Sequence, residues 1–223
     1  MELSQAMRTT FAAREFTPDP VPDETLYEIL DDARFAPSGG NRQGWRVVVV
    51  RDQATRDAIA DLAVPAIRRY VAQLRAGENP WNTIHPSRLG EEEIRATELP
   101  DSMADRYRRA PVLLVVCLDL AVVASMDRDL DRVGVVSGAS VYPFVWNILL
   151  AARSRGLGGT LTTFPAAAEP EVQKLLGIPE RFAVAAVVPM GRPPRQLTRL
   201  RRKPVEEFSF RERFGGEPLR RTP

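Results

Sequence analysis

Apolar positions recur at two periods along the chain, and together these periods predict helices that alternate with strands. Leu26, Ile29 and Ala33 repeat at a spacing of three to four residues, which is typical of an amphipathic helix. Pro22 suits the first helical position, because a helix leaves the N–H of that position unpaired in any case. The predicted helix ends at Pro37, since proline in a helix interior removes a hydrogen bond.

Continuous runs of β-branched residues predict three buried strands, and polar or glycine residues bound them. The predicted strands are Trp45 to Val50, Pro111 to Leu118 and Ala183 to Val188. Asp52 is suited to cap a helix that continues through Ala63. A long apolar helix is predicted from Ser137 to Arg155, with a kink at Pro143 and an end at Gly156. Helices around a small sheet indicate an α+β fold.

Composition narrows the class of protein. The 223 residues, 44% of them hydrophobic, are enough for one sizeable core, so we predict a single domain over 1–223. No apolar run approaches the roughly 20 residues that span a bilayer, and the N-terminus lacks a signal-peptide pattern. The sequence therefore predicts a cytoplasmic protein with no membrane partner. Cys117 is the one cysteine and His85 the one histidine, so we expect a buried, inert thiol and no metal site.

The charge of the chain leaves the role of its basic end open. The formal net charge is only +2, yet six basic residues cluster between Arg192 and Lys203. No recognition-helix motif or interleaved aromatic residue accompanies them, so we favour a solvated tail over a nucleic-acid interface. Binding of an anionic cofactor by one or two of these cations is a further interpretation.

The segment from Ala36 to Trp45, APSGGNRQGW, has the composition of a ligand-binding turn. Its glycines permit positive φ and a close approach of a ligand to the main chain. Ser38, Asn41 and Gln43 carry groups that can hydrogen-bond the heteroatoms of a planar ring. Taken alone, such a short motif is equally consistent with an ordinary polar connection.

Four motifs in order along the chain resemble the FMN-dependent nitroreductase family. Besides this turn, they are Arg14-Glu15-Phe16 with Pro20-Val21-Pro22, Asn147 to Ala152 with Gly156-Leu157-Gly158, and Leu176 to Pro179 with Pro189 to Pro193. The resemblance implies a nitroreductase-like fold, with helices around a small, mainly antiparallel sheet, and an intertwined homodimer with FMN at the interface. It also implies a variable excursion over the flavin at about 66–109 and a tail at about 204–223 that crosses to the partner.

The same resemblance implies which residues bind FMN. Arg14 would grip the phosphate, as its guanidinium can bond two oxygens at once. The chain has Thr10 and Ala12 where the family has Arg and Ser, so Arg8 and the Thr10 hydroxyl are expected to compensate and Arg202 to add charge. The expected contacts of the ring itself are Pro37, Ser38, Gly39, Asn41 and Gln43 at its edge, and Leu161, Thr162 and Thr163 on its other face.

No side chain is predicted to be catalytic, because a flavin itself carries the hydride chemistry. The resemblance implies a ping-pong oxidoreductase that takes electrons from NAD(P)H and reduces a small-molecule acceptor such as a nitroaromatic or a quinone. One alternative within the enzymes is a relative specialised for reductive dehalogenation or oxidation. Another is a non-catalytic protein that binds or sequesters flavin, which the changes at Thr10 and Ala12 favour. A nucleic-acid-binding module would instead show steeply salt-dependent binding to DNA.

Overall fold

A four-stranded sheet forms the centre of the protein. The structure, a computed structural model, describes residues 1–100 and 102–221, so Asp101 in the predicted excursion and Thr222 and Pro223 in the predicted tail lie outside it. The strands are β1 (Trp45–Val50), β2 (Val112–Asp119), β3 (Gly158–Gly159) and β4 (Phe182–Gly191). They lie in the order β1-β2-β4-β3, and each pair of neighbours is antiparallel. The predicted α+β fold is confirmed.

Helices cover both faces of this sheet. They are α1 (Leu3–Thr9), α2 (Asp23–Ala33), α3 (Gln53–Arg75), α4 (Glu91–Ala96), α5 (Ser102–Arg108), α6 (Tyr142–Ser154) and α7 (Glu169–Leu176). Within the described ranges, no helix combines the length and the apolarity needed to cross a membrane.

The central strand β2 joins two hydrophobic cores. All of its residues are buried, and successive side chains point to opposite faces of the sheet. Leu114 and its even-numbered neighbours pack with Ile148 of α6, whereas Leu113 and its odd-numbered neighbours pack with Tyr107 of α5. Cys117 belongs to the second core, and burial raises the pKa of its thiol to about 11. The predicted burial of the thiol is confirmed, and its lack of reactivity stays a prediction.

Two predictions about local structure are wrong in an informative way. Strand β1 lies at the edge of the sheet, and Val49 is exposed, because a β-branched run does not distinguish an edge strand from a central one. The predicted helix from Ser137 does not form as one unit. A 3₁₀ turn covers Val136–Ser140, and α6 begins at Tyr142. Pro143 therefore occupies the first turn of α6, where its missing N–H costs nothing, and starts the helix instead of kinking it.

Helix α3 extends well beyond its predicted end. Asp52 caps it as predicted, accepting the Thr55 N–H at 2.8 Å. The helix then passes through Pro65 and continues to Arg75. The first part of the predicted excursion is therefore helical, and the stretch beyond α3 is irregular except for short α4 in its middle and α5 at its end. Burial of Ile59 and Ile67 against the second core explains how the helix tolerates an internal proline.

Candidate functional site

A cavity of about 780 Å³ lies between α3, α5 and the edge of the sheet beyond β3. Its size falls within the range of about 300–1,000 Å³ that is usual for small-molecule sites. Arg14 and the segment Thr160 to Thr163 line one side, and Tyr70 of α3 and Arg106 of α5 line the other. Trp81, from the irregular stretch after α3, stands at its margin and is half exposed.

Backbone pairing at β3 places Arg14 in the cavity wall. Ala12 forms a parallel bridge with Gly159, and the Ala13 N–H donates to the Gly159 carbonyl at 3.0 Å. A Cβ at Gly159 would lie 2.8 Å from the Pro189 carbonyl oxygen, so the close approach of this edge to β4 requires glycine. Glycine at position 159 is therefore required for the backbone pairing that places Arg14 in the cavity wall.

The segment after β3 presents backbone donors to the cavity. Thr162 exchanges two backbone hydrogen bonds with Val187 of β4, at 3.0 and 2.8 Å. In an antiparallel pair, the residues on either side of such a closely bonded position direct their N–H groups away from the partner strand. The amides of Leu161 and Thr163 thus point away from β4, on the side of the sheet edge where the cavity lies.

Thr162 differs from its neighbours because its side chain makes a buried hydrogen bond. Its side chain is 6% exposed, and its hydroxyl lies 2.8 Å from the Tyr107 hydroxyl of α5. Burial raises the pKa of Tyr107 to about 12, so the phenol is neutral at ordinary pH. This pair fixes α5 against the sheet edge. Leu161 and Thr163, by contrast, are exposed.

Arg106 is the site residue that the sequence reasoning missed. The residue as a whole is 7% exposed, and its Nε atom is buried without a hydrogen-bond partner among the described residues. Burial is the largest cause that lowers the pKa of Arg106; the neighbouring Tyr107 acts in the opposite direction, and the nearby charge of Arg14 lowers the pKa further. Helix α5 lies at the end of the excursion, and no element was predicted for these residues. The one signal in the sequence was an arginine next to a tyrosine. Exposed arginines are so common that this signal does not distinguish a site residue from a surface residue.

The turn predicted to contact the flavin ring forms a separate structure. The Ser38 hydroxyl accepts the Gln43 N–H at 3.0 Å, and the Gly39 N–H donates to the Ser140 hydroxyl at 3.1 Å. Asn41 and Gln43 have φ angles of 53° and 50°, a left-handed conformation that is strained in residues other than glycine. None of the predicted turn residues, including Pro37, lines the cavity of the same chain.

Three further predicted ligands also lie away from this cavity. The Thr10 hydroxyl is buried and donates to the Ala6 carbonyl at 2.8 Å. Arg8 is exposed on α1, and Arg202 is exposed in the tail. The structure therefore brings Arg14 together with Leu161, Thr162 and Thr163, and it places the remaining predicted residues elsewhere on the same chain.

Comparison with known proteins decides the family. The family model described as "Nitroreductase family" matches residues 7–192. The chain belongs to the nitroreductase family. It is 31% identical over 204 residues to "NADH dehydrogenase" of Thermus thermophilus, covering 86% of this chain and 87% of that protein. It is 28% identical over 206 residues to "Nitrobenzene nitroreductase" of Ectopseudomonas oleovorans, covering 85% and 86%.

One solved structure is similar to this chain over nearly the whole length of both. Oxidised iodotyrosine deiodinase, bound to FMN and 3-iodo-L-tyrosine, superposes with a TM-score of 0.66 at 25% identity. The match covers 92% of this chain and 96% of that one. In the described part of this chain, no three His, Cys, Asp or Glu side chains group as a metal site.

Proposed function

We propose that the protein is an FMN-dependent NAD(P)H oxidoreductase that reduces nitroaromatic, quinone or similar electrophilic acceptors. The observation that carries this proposal is the cavity at the sheet edge, where Arg14 lies beside the backbone amides of Leu161 and Thr163. Family membership makes a flavin the first cofactor to consider there. The solved deiodinase, bound to FMN, gives the same cofactor to a relative that covers nearly the whole chain.

The donors present in the cavity fit FMN. When bound, this cofactor takes a hydride from NAD(P)H and passes two electrons to an acceptor. Arg14 would hold an anionic group of the flavin by charge-assisted hydrogen bonds, and the unpaired amides of Leu161 and Thr163 would face the ring. With no GxGxxG turn after a strand, the chain lacks the usual cradle for the pyrophosphate of FAD.

We further propose that two copies of the chain complete each site. The turn from Pro37 to Gln43 is exposed and lies outside the cavity of its own chain, so a partner subunit is the natural source of that contact. The tail also carries aromatic side chains that the described residues of one chain leave exposed. Phe208 is 63% exposed and Phe214 is 97% exposed. Aromatic side chains in such positions gain free energy when they are buried against a partner.

The overall reaction balances as a two-electron exchange. For a nitroaromatic, ArNO₂ + NAD(P)H + H⁺ gives ArNO + NAD(P)⁺ + H₂O, with the proton supplied by solvent. The donor and the acceptor would occupy the same cavity in turn, because each must reach the same ring. Such exchange predicts ping-pong kinetics.

Steady-state oxidation of NAD(P)H by the purified, FMN-loaded protein tests this proposal. With nitrobenzene or a benzoquinone as the acceptor, we expect acceptor-dependent turnover and parallel double-reciprocal lines. A protein that retains FMN but oxidises NAD(P)H no faster than free FMN does would be a flavin-binding or flavin-sequestering protein, and the enzymatic proposal would be wrong.

A second candidate is reductive dehalogenation of a halogenated aromatic compound. The deiodinase structure favours it, because that neighbour matches almost the full length of both chains. Release of iodide from an iodophenol in the presence of a reductant would support this activity. Turnover of nitroaromatics without any halide release would exclude it.

A further inference from the structure

Two polar side chains at the end of α3 hold the irregular segment that follows this helix. The side chain of Gln73 is buried, and its Oε1 atom accepts the Trp81 N–H at 3.1 Å. The side chain of Glu78 is only 12% exposed, and its carboxylate accepts the Ser87 hydroxyl at 2.6 Å and the Arg88 N–H at 2.8 Å. The Nε2 atom of Gln73 lies 3.4 Å from Oε2 of Glu78, so the two side chains form one hydrogen-bonded unit.

The surroundings of Glu78 favour the ionised carboxylate. The hydrogen bond from the Ser87 hydroxyl, and then that from the Arg88 N–H, lower the pKa of Glu78. The group is therefore charged at neutral pH and accepts from every donor around it. Hydrogen bonds to an ionised acceptor are about twice as strong as neutral ones. The Arg88 guanidinium, 3.8 Å away and exposed, adds little, because solvent screens such a pair.

Trp81 has a backbone conformation that requires such support. Its φ is 55°, in the left-handed region that bulky residues rarely adopt. Strained residues persist where the surrounding structure fixes them, and they cluster at functional sites. The Arg69 guanidinium lies over the Trp81 ring, 5.4 Å from its centroid, and is paired with Glu91 of α4 at 3.4 Å. The chain thus fixes a half-exposed indole at the margin of the cavity, although full burial would be more favourable.

We propose that Gln73 and Glu78 are positioning residues that form a latch, and that this latch keeps the segment 78–89 closed over the mouth of the cavity through Trp81. The proposal rests on the proposed oxidoreductase function for the use of the cavity, and it adds a control of access. All hydrogen bonds of the latch come from the chain itself, so the chain and not the acceptor sets the width of the mouth. A closed mouth restricts bulky acceptors, and opening of the latch removes this restriction.

Amide hydrogen exchange, followed by NMR, tests whether the latch acts as one unit. In Glu78→Gln, one acceptor oxygen becomes a donor with almost no change of shape. We expect the Arg88 amide to exchange about 10- to 100-fold faster, and the Trp81 amide to follow although its own acceptor is Gln73. Glu98→Gln changes an exposed glutamate of the same excursion and should leave both amides at their parental rates. A Trp81 amide that keeps its parental rate in Glu78→Gln would overturn the proposal.

Acceptor size tests whether the latch acts through Trp81. For the FMN-loaded protein, the ratio of kcat/KM for menadione to kcat/KM for benzoquinone measures how well a bulky acceptor enters. The difference in their reduction potentials is common to all variants. We expect this ratio to rise by about 10-fold in Trp81→Ala and in Glu78→Gln, because steric crowding at the mouth is relieved. Glu78→Gln should add nothing in the Trp81→Ala background. An unchanged ratio in Trp81→Ala, or full additivity, would overturn the proposal.

A second variant and the two readouts separate the latch from the proposed function. Gln73→Met removes the other half of the latch and should speed exchange at Arg88 in return, which decides the question if Glu78→Gln does not fold. Exchange needs no turnover. Coupled exchange at Trp81 and Arg88 without reduction of either quinone would support the latch and show that the proposed function is wrong. Reduction of both quinones, with faster exchange confined to Arg88 in Glu78→Gln, would keep the function and overturn the latch.

Discussion

The buried hydrogen bond between Tyr107 and Thr162 gives the sharpest test of how the cavity is held together. It joins α5 to the sheet edge across a distance of 2.8 Å, and both residues are buried. Tyr107→Phe leaves the Thr162 hydroxyl without its partner, and Thr162→Val leaves the Tyr107 hydroxyl without its own. A buried hydroxyl with no partner costs about 1–3 kcal/mol, so each single change should lower the free energy of unfolding by that amount.

The double variant should be more stable than the sum of the single changes predicts. With both hydroxyls removed, no buried polar group is left unsatisfied at this contact. We therefore expect a coupling energy of about 1 kcal/mol or more between the two positions. For a chain of this length, a change of 1 kcal/mol corresponds to a shift of about 2–4 °C in Tm.

The dependence of stability on alkaline pH provides a second test of the same pair. Burial raises the pKa of Tyr107 from 10.0 to about 12, so the unfolded state loses the phenolic proton first. The stability that this group contributes is complete below pH 10 and is lost between pH 10 and about 12. At about 1.4 kcal/mol for each pKa unit, the loss is about 2–3 kcal/mol. The Tyr107→Phe variant should not show this loss of stability. The pKa of Cys117 is also raised by burial, and its effect on stability is the same in the parent and in the variant.

Urea denaturation followed by circular dichroism measures all four proteins of this cycle. The midpoint and slope at neutral pH give the coupling energy, and a series of alkaline pH values gives the pH dependence for the parent and Tyr107→Phe. Strict additivity of the two single changes would refute the role of the hydrogen bond. An identical alkaline loss of stability in the parent and in Tyr107→Phe would refute the argument from burial.

Three other predictions concern the cofactor, the tail and the loop before α6. Arg14→Ala should weaken FMN binding by about 1.5–3 kcal/mol in a fluorescence titration; parental affinity in this variant, with lost affinity in Arg8→Ala, would contradict our alignment of the N-terminal motif. Truncation after Pro204 should lower both dimer stability and FMN occupancy in sedimentation experiments, and a monomer with full flavin would exclude the shared site. The backbone N–H of Val135, followed by other hydrogen bonds, holds the pKa of Asp127 at about 2, so its stabilisation is lost as pH falls from about 4 to 2. In calorimetry, the Tm difference between the parent and Asp127→Asn should shrink over that range, and a constant difference would contradict it.

The elements with strong local signals were predictable. Runs of β-branched residues indicated the three longer strands, and the spacing of Leu26, Ile29 and Ala33 indicated α2, because these patterns report burial on one face or both. The N-cap at Asp52 was predictable for a different reason, because a single side chain determines a helix cap. The family motifs then indicated the nitroreductase-like arrangement of these elements, which neither pattern determines alone.

The half of the cavity that contains Arg106 was not predictable from sequence. Helix α5 is short, and short helices depend on tertiary packing more than on their own propensity. The order of the motifs along the chain does not show that the ring-contact turn lies away from Arg14 within one chain, although the family resemblance implies an FMN site at a subunit interface. The start of α6 at Tyr142 depended on whether Pro143 lies in the first turn or the interior, and the apolar pattern is the same in both cases.

The flavin content of the purified protein tests the central claim most directly. We predict that the protein purifies with noncovalent FMN, visible in its absorbance spectrum, and that heating releases FMN in an amount stoichiometric with the chain. A colourless protein whose heated supernatant contains no flavin, and which takes up none when FMN is added, would contradict the claim that the cavity beside Arg14 is a flavin site.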